Sequence, residues 1–283
     1  MASYQYQQIS PQQTTSKKDT SKQNTQPLNI SRPLGTLCGI GVGPGDPELI
    51  TVKALKHLQS TPTVAFPAGL KGRPGVAEQI IQPWLSAQQT KLPLDFPYVL
   101  NAQTLETAWQ RAAEAVWPYL QEGDVTFACE GDVSFYGTFA YLARAMQQQH
   151  PEVNVKAIAG VSSPMAAAAA LGIPLTCQAE RLAILPALYS LADLEETLNW
   201  AEVIVLMKVS RVYPQVWQVL KKHDLLSRSY VVENATKAEQ KRYIDLQDKP
   251  NLLLPYFSLL IVQRNQQRIT MPSGASNLEI EVA

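Results

Sequence analysis

Histidine and cysteine are scarce in this chain, with three of each among 283 residues. Cys38, Cys129 and Cys177 are odd in number, far apart and in no C-x-x-C pair, which excludes a disulfide framework and a zinc site of ordinary spacing. They are expected as small buried residues in a reducing compartment. His57, His150 and His223 show no H-x-x-x-H spacing and fall in helical stretches, so they read as surface or packing residues, and no metal is expected. Charge of one sign is not in excess either. Lys+Arg and Asp+Glu stand at 24 each, which argues against a nucleic-acid partner or an acidic membrane surface. An anionic ligand must therefore meet a local basic patch. Long apolar runs of membrane-spanning length are missing, and the first residues lack an apolar secretion segment, so a cytoplasmic chain with no membrane partner is expected. On that expectation the N-x-[ST] triplets at Asn29 and Asn234 carry no glycan.

Residues 1–33 are rich in Gln, Ser and Thr and nearly free of large aliphatic residues, which predicts a disordered tail. From residue 35 onward, short β-branched runs alternate with longer helical patterns, the signature of an α/β protein with a largely parallel sheet. Strands are predicted at 36–42, 63–66, 125–129, 153–158, 181–185, 203–207, 230–233 and 259–263. Helices are predicted at 47–59, 104–120, 136–149, 164–171, 191–200 and 212–223. Gly172 and Pro174 interrupt the pattern and suggest two α/β domains, 34–173 and 174–268, with mixed, largely parallel sheets and a ligand cleft between them. Residues 269–283 read as a second tail.

The stretch "CGIGVGPGDPELIT" at 38–51 places four glycines in seven positions at a strand–helix junction. A dinucleotide loop needs glycines at i, i+2 and i+5, and the third position is Pro44, Asp46 or Glu48 in the three possible registers. A phosphate loop needs Gly-Lys-[Ser/Thr] at its end, where this one has Gly45-Asp46-Pro47. Asp46 is instead placed as a helix N-cap, with Pro47 at N1 and Glu48 in the first turn. Those carboxylates occupy the N–H groups and the dipole that a phosphate would use. Two readings stay open: close backbone approach to a neutral or cationic ligand such as a sulfonium, or a tight turn with no ligand. "CEGDVSFYGT" from Cys129 and "AGVSSPM" from Ala159 also follow strands, with Ser163 expected as N-cap before Pro164. Three strand ends carrying Gly and small polar residues favour a binding edge.

The order "GVGPGDPELIT", "EGDVSFYGT", "GVSSP", "VLMK" and "ENATKAEQ" resembles the tetrapyrrole (corrin/porphyrin) methyltransferase family, over residues 35–264. The resemblance implies a two-domain α/β homodimer that binds S-adenosylmethionine in its cleft, releases S-adenosylhomocysteine and methylates a meso carbon of a reduced tetrapyrrole. Carried over position by position, it implies cofactor contacts at Pro44, Glu130, Gly131, Asp132, Phe135, Ser162, Ser163, Met207 and Ala235. The family's Gly-Gly-Asp-Pro reads Glu130-Gly131-Asp132-Val133 here, and Ala235 replaces the usual glycine; Ala235 is strained if its φ must be positive.

The tetrapyrrole is a polycarboxylate, and Lys71 and Arg73 in "AGLKGRPG" are the expected substrate contacts, with Lys208 and Arg211 offering further cations after "VLM". The nucleophile in this chemistry is the substrate's own carbon, so positioning and water exclusion matter more than a catalytic triad, and none is evident. Asp46 is the one carboxylate considered for handling the lost proton, beside its capping role. Asp46→Asn separates the two roles, because Asn still caps. Retained methyl transfer in that variant leaves Asp46 with the cap alone, whereas lost transfer with an unchanged melting temperature gives it a chemical part.

Overall fold

The computed structural model describes residues 33–264, apart from 70–72, 98, 100 and 188–189. The first sheet contains β1 (Thr36–Gly41), β2 (Thr63–Pro67), β3 (Thr90–Leu94), β4 (Val125–Cys129) and β5 (Asn154–Ile158). It runs in the order β3-β2-β4-β1-β5, and every pairing is parallel. Parallel neighbours require crossovers, supplied here by α1 (Val52–Ser60), α2 (Val76–Ile81), α3 (Ala102–Glu122) and α4 (Phe139–Gln149).

Alternation along the strands decides which helix lies on which face. Cys38, Ile40, Val64 and Phe66 meet Ala54 and Leu58 of α1 and Ile80 and Ile81 of α2. Leu37, Val125 and Phe127 meet Ala113 and Val116 of α3 and Leu142 of α4 on the other face. Strand β1 therefore sends its chain to one face, past β4 to β2, and the adjacent β4 sends its chain to the other, past β1 to β5, so the two connections pass one another at the strand ends.

The glycines serve that crossing. Gly43 (φ +82°) and Gly131 (φ +72°) exchange backbone hydrogen bonds of 3.2 and 2.8 Å as an isolated antiparallel bridge. A Cβ on Gly41 would lie 2.6 Å from Gly160 Cα and 2.7 Å from Gly131 O, so three loops meet backbone to backbone. Asp132 fastens the third loop. Its Oδ2 accepts from Gly160 N–H at 2.7 Å, and its Oδ1 accepts from the Ser134 N–H and hydroxyl at 2.8 and 2.5 Å. Burial alone would raise the Asp132 carboxyl, but those hydrogen bonds outweigh it and hold the group below its ordinary range.

The second sheet begins after α5 (Ser163–Leu171) and contains β6 (Leu182–Leu185), β7 (Val203–Met207), β8 (Ser229–Glu233), β9 (Lys241–Ile244) and β10 (Ser258–Gln263). Its order is β6-β7-β10-β8-β9. Only β6 and β7 run parallel, joined through α6 (Leu191–Trp200), and α7 (Tyr213–Lys222) precedes β8; the other three pairings are antiparallel. No α-helix lies between β8 and β10, so those strands reverse direction instead of crossing over. The parallel character expected from the sequence thus holds throughout the first sheet and for one pairing of the second.

Helix α5 joins the two halves. Ala167, Ala168 and Leu171 pack on Val203, Val205, Tyr230 and Ile261 of the second sheet, although the helix follows β5 of the first. The small alanines let this helix lie close against the sheet, while Met165 and Ala169 stay exposed. The opposite face of the second sheet, with Ile204, Leu206 and Leu260, takes Leu194 of α6 and Val216 and Leu220 of α7.

Most predicted elements lie within a residue or two of the observed ones; the exceptions have local causes. The predicted helix 47–59 is a 3-10 turn, Pro47–Leu49, followed by α1, because Ile50 is extended and Thr51 caps α1 by accepting from Ala54 N–H at 3.2 Å. The predicted helix 136–149 begins only at Phe139. Strands β3 and β9 and the six-residue α2 escaped the periodicity reading. The strands are polar edge strands: Pro93 sits in one and Lys241-Arg242 in the other, residue types that protect an edge and mimic a loop. Both tails lie outside the described residues.

Two substitutions test this arrangement. Gly41→Ala forces a Cβ into backbone atoms that no rotamer can move aside, and a loss of about 1–3 kcal/mol in chemical denaturation is expected. An unchanged midpoint would refute the three-loop contact. Asp132→Asn should cost about 1–3 kcal/mol at pH 7 through an imperfectly satisfied acceptor set. Since the Asp132 pKa is depressed on folding, its contribution is complete above the unfolded value and fades as pH falls through the folded one. The variant should therefore lose less stability than the parent on acidification from pH 5 to pH 2, measured as denaturation midpoints.

Candidate functional site

A cavity of about 440 Å³ opens where the ends of β2 and β4 and the loop after β1 face the end of β7, the loop after β8 and the start of β10. It collects the residues that the sequence singled out from distant segments. Pro44 comes from the first glycine loop, Glu130, Gly131, Asp132 and Phe135 from the second, and Ser162 and Ser163 from the start of α5. Met207 and Ala235 complete the wall from the second sheet, and Arg73 stands at the cavity from the loop after β2.

Lys71 lies outside the described residues. Lys208 lines the cavity, whereas Arg211 is not among its lining residues. Asp46 is not among them either. Its carboxylate accepts from Glu48 N–H at 2.8 Å as the N-cap of the 3-10 turn, and its own N–H donates to Thr236 Oγ1 at 3.1 Å. Gly45 beside it has no room for a side chain, since a Cβ there would be 2.5 Å from Lys237 Cγ. The first loop is thereby seated on the loop after β8.

The strain considered for Ala235 falls on its neighbours. Asn234 (φ 49°) and Thr236 (φ 67°) take left-handed conformations, and Ala235 does not. The N-cap of α5 is Ser162, one residue before the expected Ser163, and the Ser162 hydroxyl contacts Met165 Sδ at 2.8 Å.

Charge in the cavity is local and mixed. Glu130 directly follows the buried β4 and is itself partly buried, and burial pushes its carboxyl up to about 7, with Lys237 and then Lys208 pulling it down. The Lys237 ammonium lies 4.1 Å from the Phe257 ring centroid, and the Lys208 ammonium 5.8 Å from that of Tyr256. Burial also pushes the Cys129 thiol up to about 11, which keeps it protonated and inert at neutral pH. The sequence reading missed Lys237, Tyr256 and Phe257 as site residues. Lys237 was visible inside "ENATKAEQ", but the aromatic pair precedes β10 with no spacing to mark it.

The histidines stand apart from this cavity. His57 is in α1, its pKa lowered mainly by burial; His150 stacks on Trp117 at 3.6 Å, and His223 ends α7.

The model of the tetrapyrrole (corrin/porphyrin) methylases matches residues 36–249. Precorrin-2 C(20)-methyltransferase of Sinorhizobium sp is 32% identical, with 81% of this chain aligned to 95% of that protein. The cobalamin biosynthesis protein CobIJ of Mycobacterium bovis is also 32% identical over 83% of this chain, but this chain spans only about half of it, 47%. Among solved structures, uroporphyrin-III C-methyl transferase from Thermus thermophilus, complexed with S-adenyl homocysteine, superposes with a TM-score of 0.56 at 21% identity, covering 81% of this chain and 97% of that one. The match over most of the chain, the shared fold and the cavity at the strand ends lead to one conclusion: the chain belongs to the tetrapyrrole (corrin/porphyrin) methylase family.

Proposed function

We propose that the chain transfers a methyl group from S-adenosylmethionine to the C(20) meso carbon of precorrin-2, or of its cobalt-bearing counterpart, during corrin-ring assembly, as a cytoplasmic homodimer. The observation that carries this reading is the cavity itself, where every cofactor position implied by the motifs lines one space. Its donor set suits the methyl donor. The Glu130 carboxylate can face a sulfonium or ammonium, Ser162 and Ser163 offer hydroxyls, Phe135 offers a ring face, and Asp46 already engages the first loop's turn that a phosphate would need.

When bound, S-adenosylmethionine supplies a methyl carbon activated by its positive sulfur. The chain's part is to hold the acceptor carbon in line with that methyl group and to keep water out. Arg73, Lys208 and Lys237 supply positive charge for the acceptor's carboxylates in a chain whose formal net charge is zero. Among the described residues, no helix is long and apolar enough to cross a membrane.

The deciding assay incubates the protein with S-adenosylmethionine and, side by side, metal-free precorrin-2, its cobalt-bearing form and uroporphyrinogen III. A mass gain of one methyl on the precorrin-2 forms supports the reading. Transfer only to another tetrapyrrole moves the substrate assignment within the family, and cofactor binding without transfer to any acceptor overturns the catalytic reading. Replacing Lys71 and Arg73 together by Ala should weaken tetrapyrrole affinity about tenfold or more, the loss of charge-assisted hydrogen bonds, while calorimetric affinity for S-adenosylhomocysteine stays the same. Unchanged tetrapyrrole affinity would remove both residues from the substrate site.

A further inference from the structure

Methylation of a carbon that already bears hydrogen leaves one proton too many. The S–CH3 bond breaks with its electron pair going to sulfur, and the C–CH3 bond forms from a π pair of the ring. The positive charge left on the ring is discharged when the hydrogen on the methylated carbon departs as a proton. A cavity that excludes water must provide an acceptor for that proton.

Two carboxylates line the cavity among the described residues, Glu130 and Asp132. Asp132 is committed, because both its oxygens accept hydrogen bonds that fasten the Gly160 loop and the Ser134 turn. Glu130 is not: among the described residues its side chain makes no hydrogen bond or ion pair, and it directly follows a strand whose residues are all buried. We propose that Glu130 is the general base of the reaction, its carboxylate taking the proton released from the methylated ring carbon; this rests on the methyl-transfer reading above.

The surroundings suit that task. Gly131, locked by the bridge to Gly43, fixes the backbone directly after Glu130, so the carboxylate is held at the strand end and not on a wandering loop. From the second sheet Lys237 and Lys208 face it, and Tyr256 lines the same space; Arg73 lines it from the loop after β2, and Cys129 and Asp132 flank it on its own segment. Burial against these two lysines leaves the carboxyl at about 7, where a carboxylate both exists near neutral pH and is basic enough to accept a proton.

The test uses the full chain with Glu130→Gln and Glu130→Asp. The Gln variant should lower kcat ~100-fold or more, with the KM for tetrapyrrole little changed. The Asp variant should retain part of the rate. In the parent, kcat should rise with pH through about 7 and level off, and this acid limb should vanish in the Gln variant. A readout independent of turnover is the carboxyl carbon resonance of 13C-glutamate in the ligand-free protein: one signal should titrate near 7 in the parent and be missing from both variants. A Gln variant as fast as the parent, or an unchanged acid limb, overturns the assignment of Glu130 alone. A parent that methylates no tetrapyrrole overturns the methyl-transfer reading and this inference with it. If the Gln variant does not fold, a parent spectrum with every glutamate titrating in the ordinary range is by itself sufficient to refute the proposal.

Discussion

The meeting of three loops at Gly41, Gly131 and Gly160 is the constraint on which the rest of the cavity depends. The chain leaving β1 runs past β4 to reach β2, and the chain leaving β4 runs past β1 to reach β5, so the two pass one another, and a Cβ at Gly41 or Gly160 would strike backbone there. The Gly43–Gly131 bridge and the Asp132 carboxylate convert that crossing into a fixed platform. Pro44, Glu130 and Ser162 occupy its cavity side, and their positions follow from the backbone contact below them. These backbone and carboxylate hydrogen bonds fix the positions of the three loops relative to one another.

Much of this was legible in the sequence, and the limits are physical. Strands such as Val125–Cys129 and Val203–Met207 are buried on both faces, so they read as continuous apolar runs with sharp ends. Asp46 caps the turn after the glycine loop, as its position before Pro47 indicates. What the glycines do is less visible in the sequence, which leaves open a ligand's approach or a tight turn: Gly41 lies against Gly160 and Gly45 against Lys237. Loop-to-loop packing depends on which strands are neighbours, and strand order leaves no local trace. The same holds for Tyr256 and Phe257, which reach the cavity only because β10 is inserted between β7 and β8. The direction of the strands in the second sheet turned on the lack of a helix between β8 and β10, a stretch whose composition resembles an ordinary loop.

Electrostatics shows why a chain with balanced charge can still handle charged ligands. Lys237 and Lys208 rest near aromatic rings, where a cation is stabilised without being neutralised, and Glu130 lies within their field from the opposite sheet. Positive groups come chiefly from the second sheet and the rim at Arg73, while the carboxylates come from the first sheet. Walls of different sign therefore face one another across the same small volume.

The pairing of β1 with β4 and β5 also bears on how the chain comes into being. During synthesis from the amino end, β1 has neither sheet neighbour until Val125–Cys129 has been made, and its second partner, Asn154–Ile158, is later still. Until then both edges of an apolar strand are open, and closing so long a loop is entropically unfavourable before any contact rewards it. The cavity is thus a late product of folding, completed only when β10, the last of the described strands, enters the middle of its sheet.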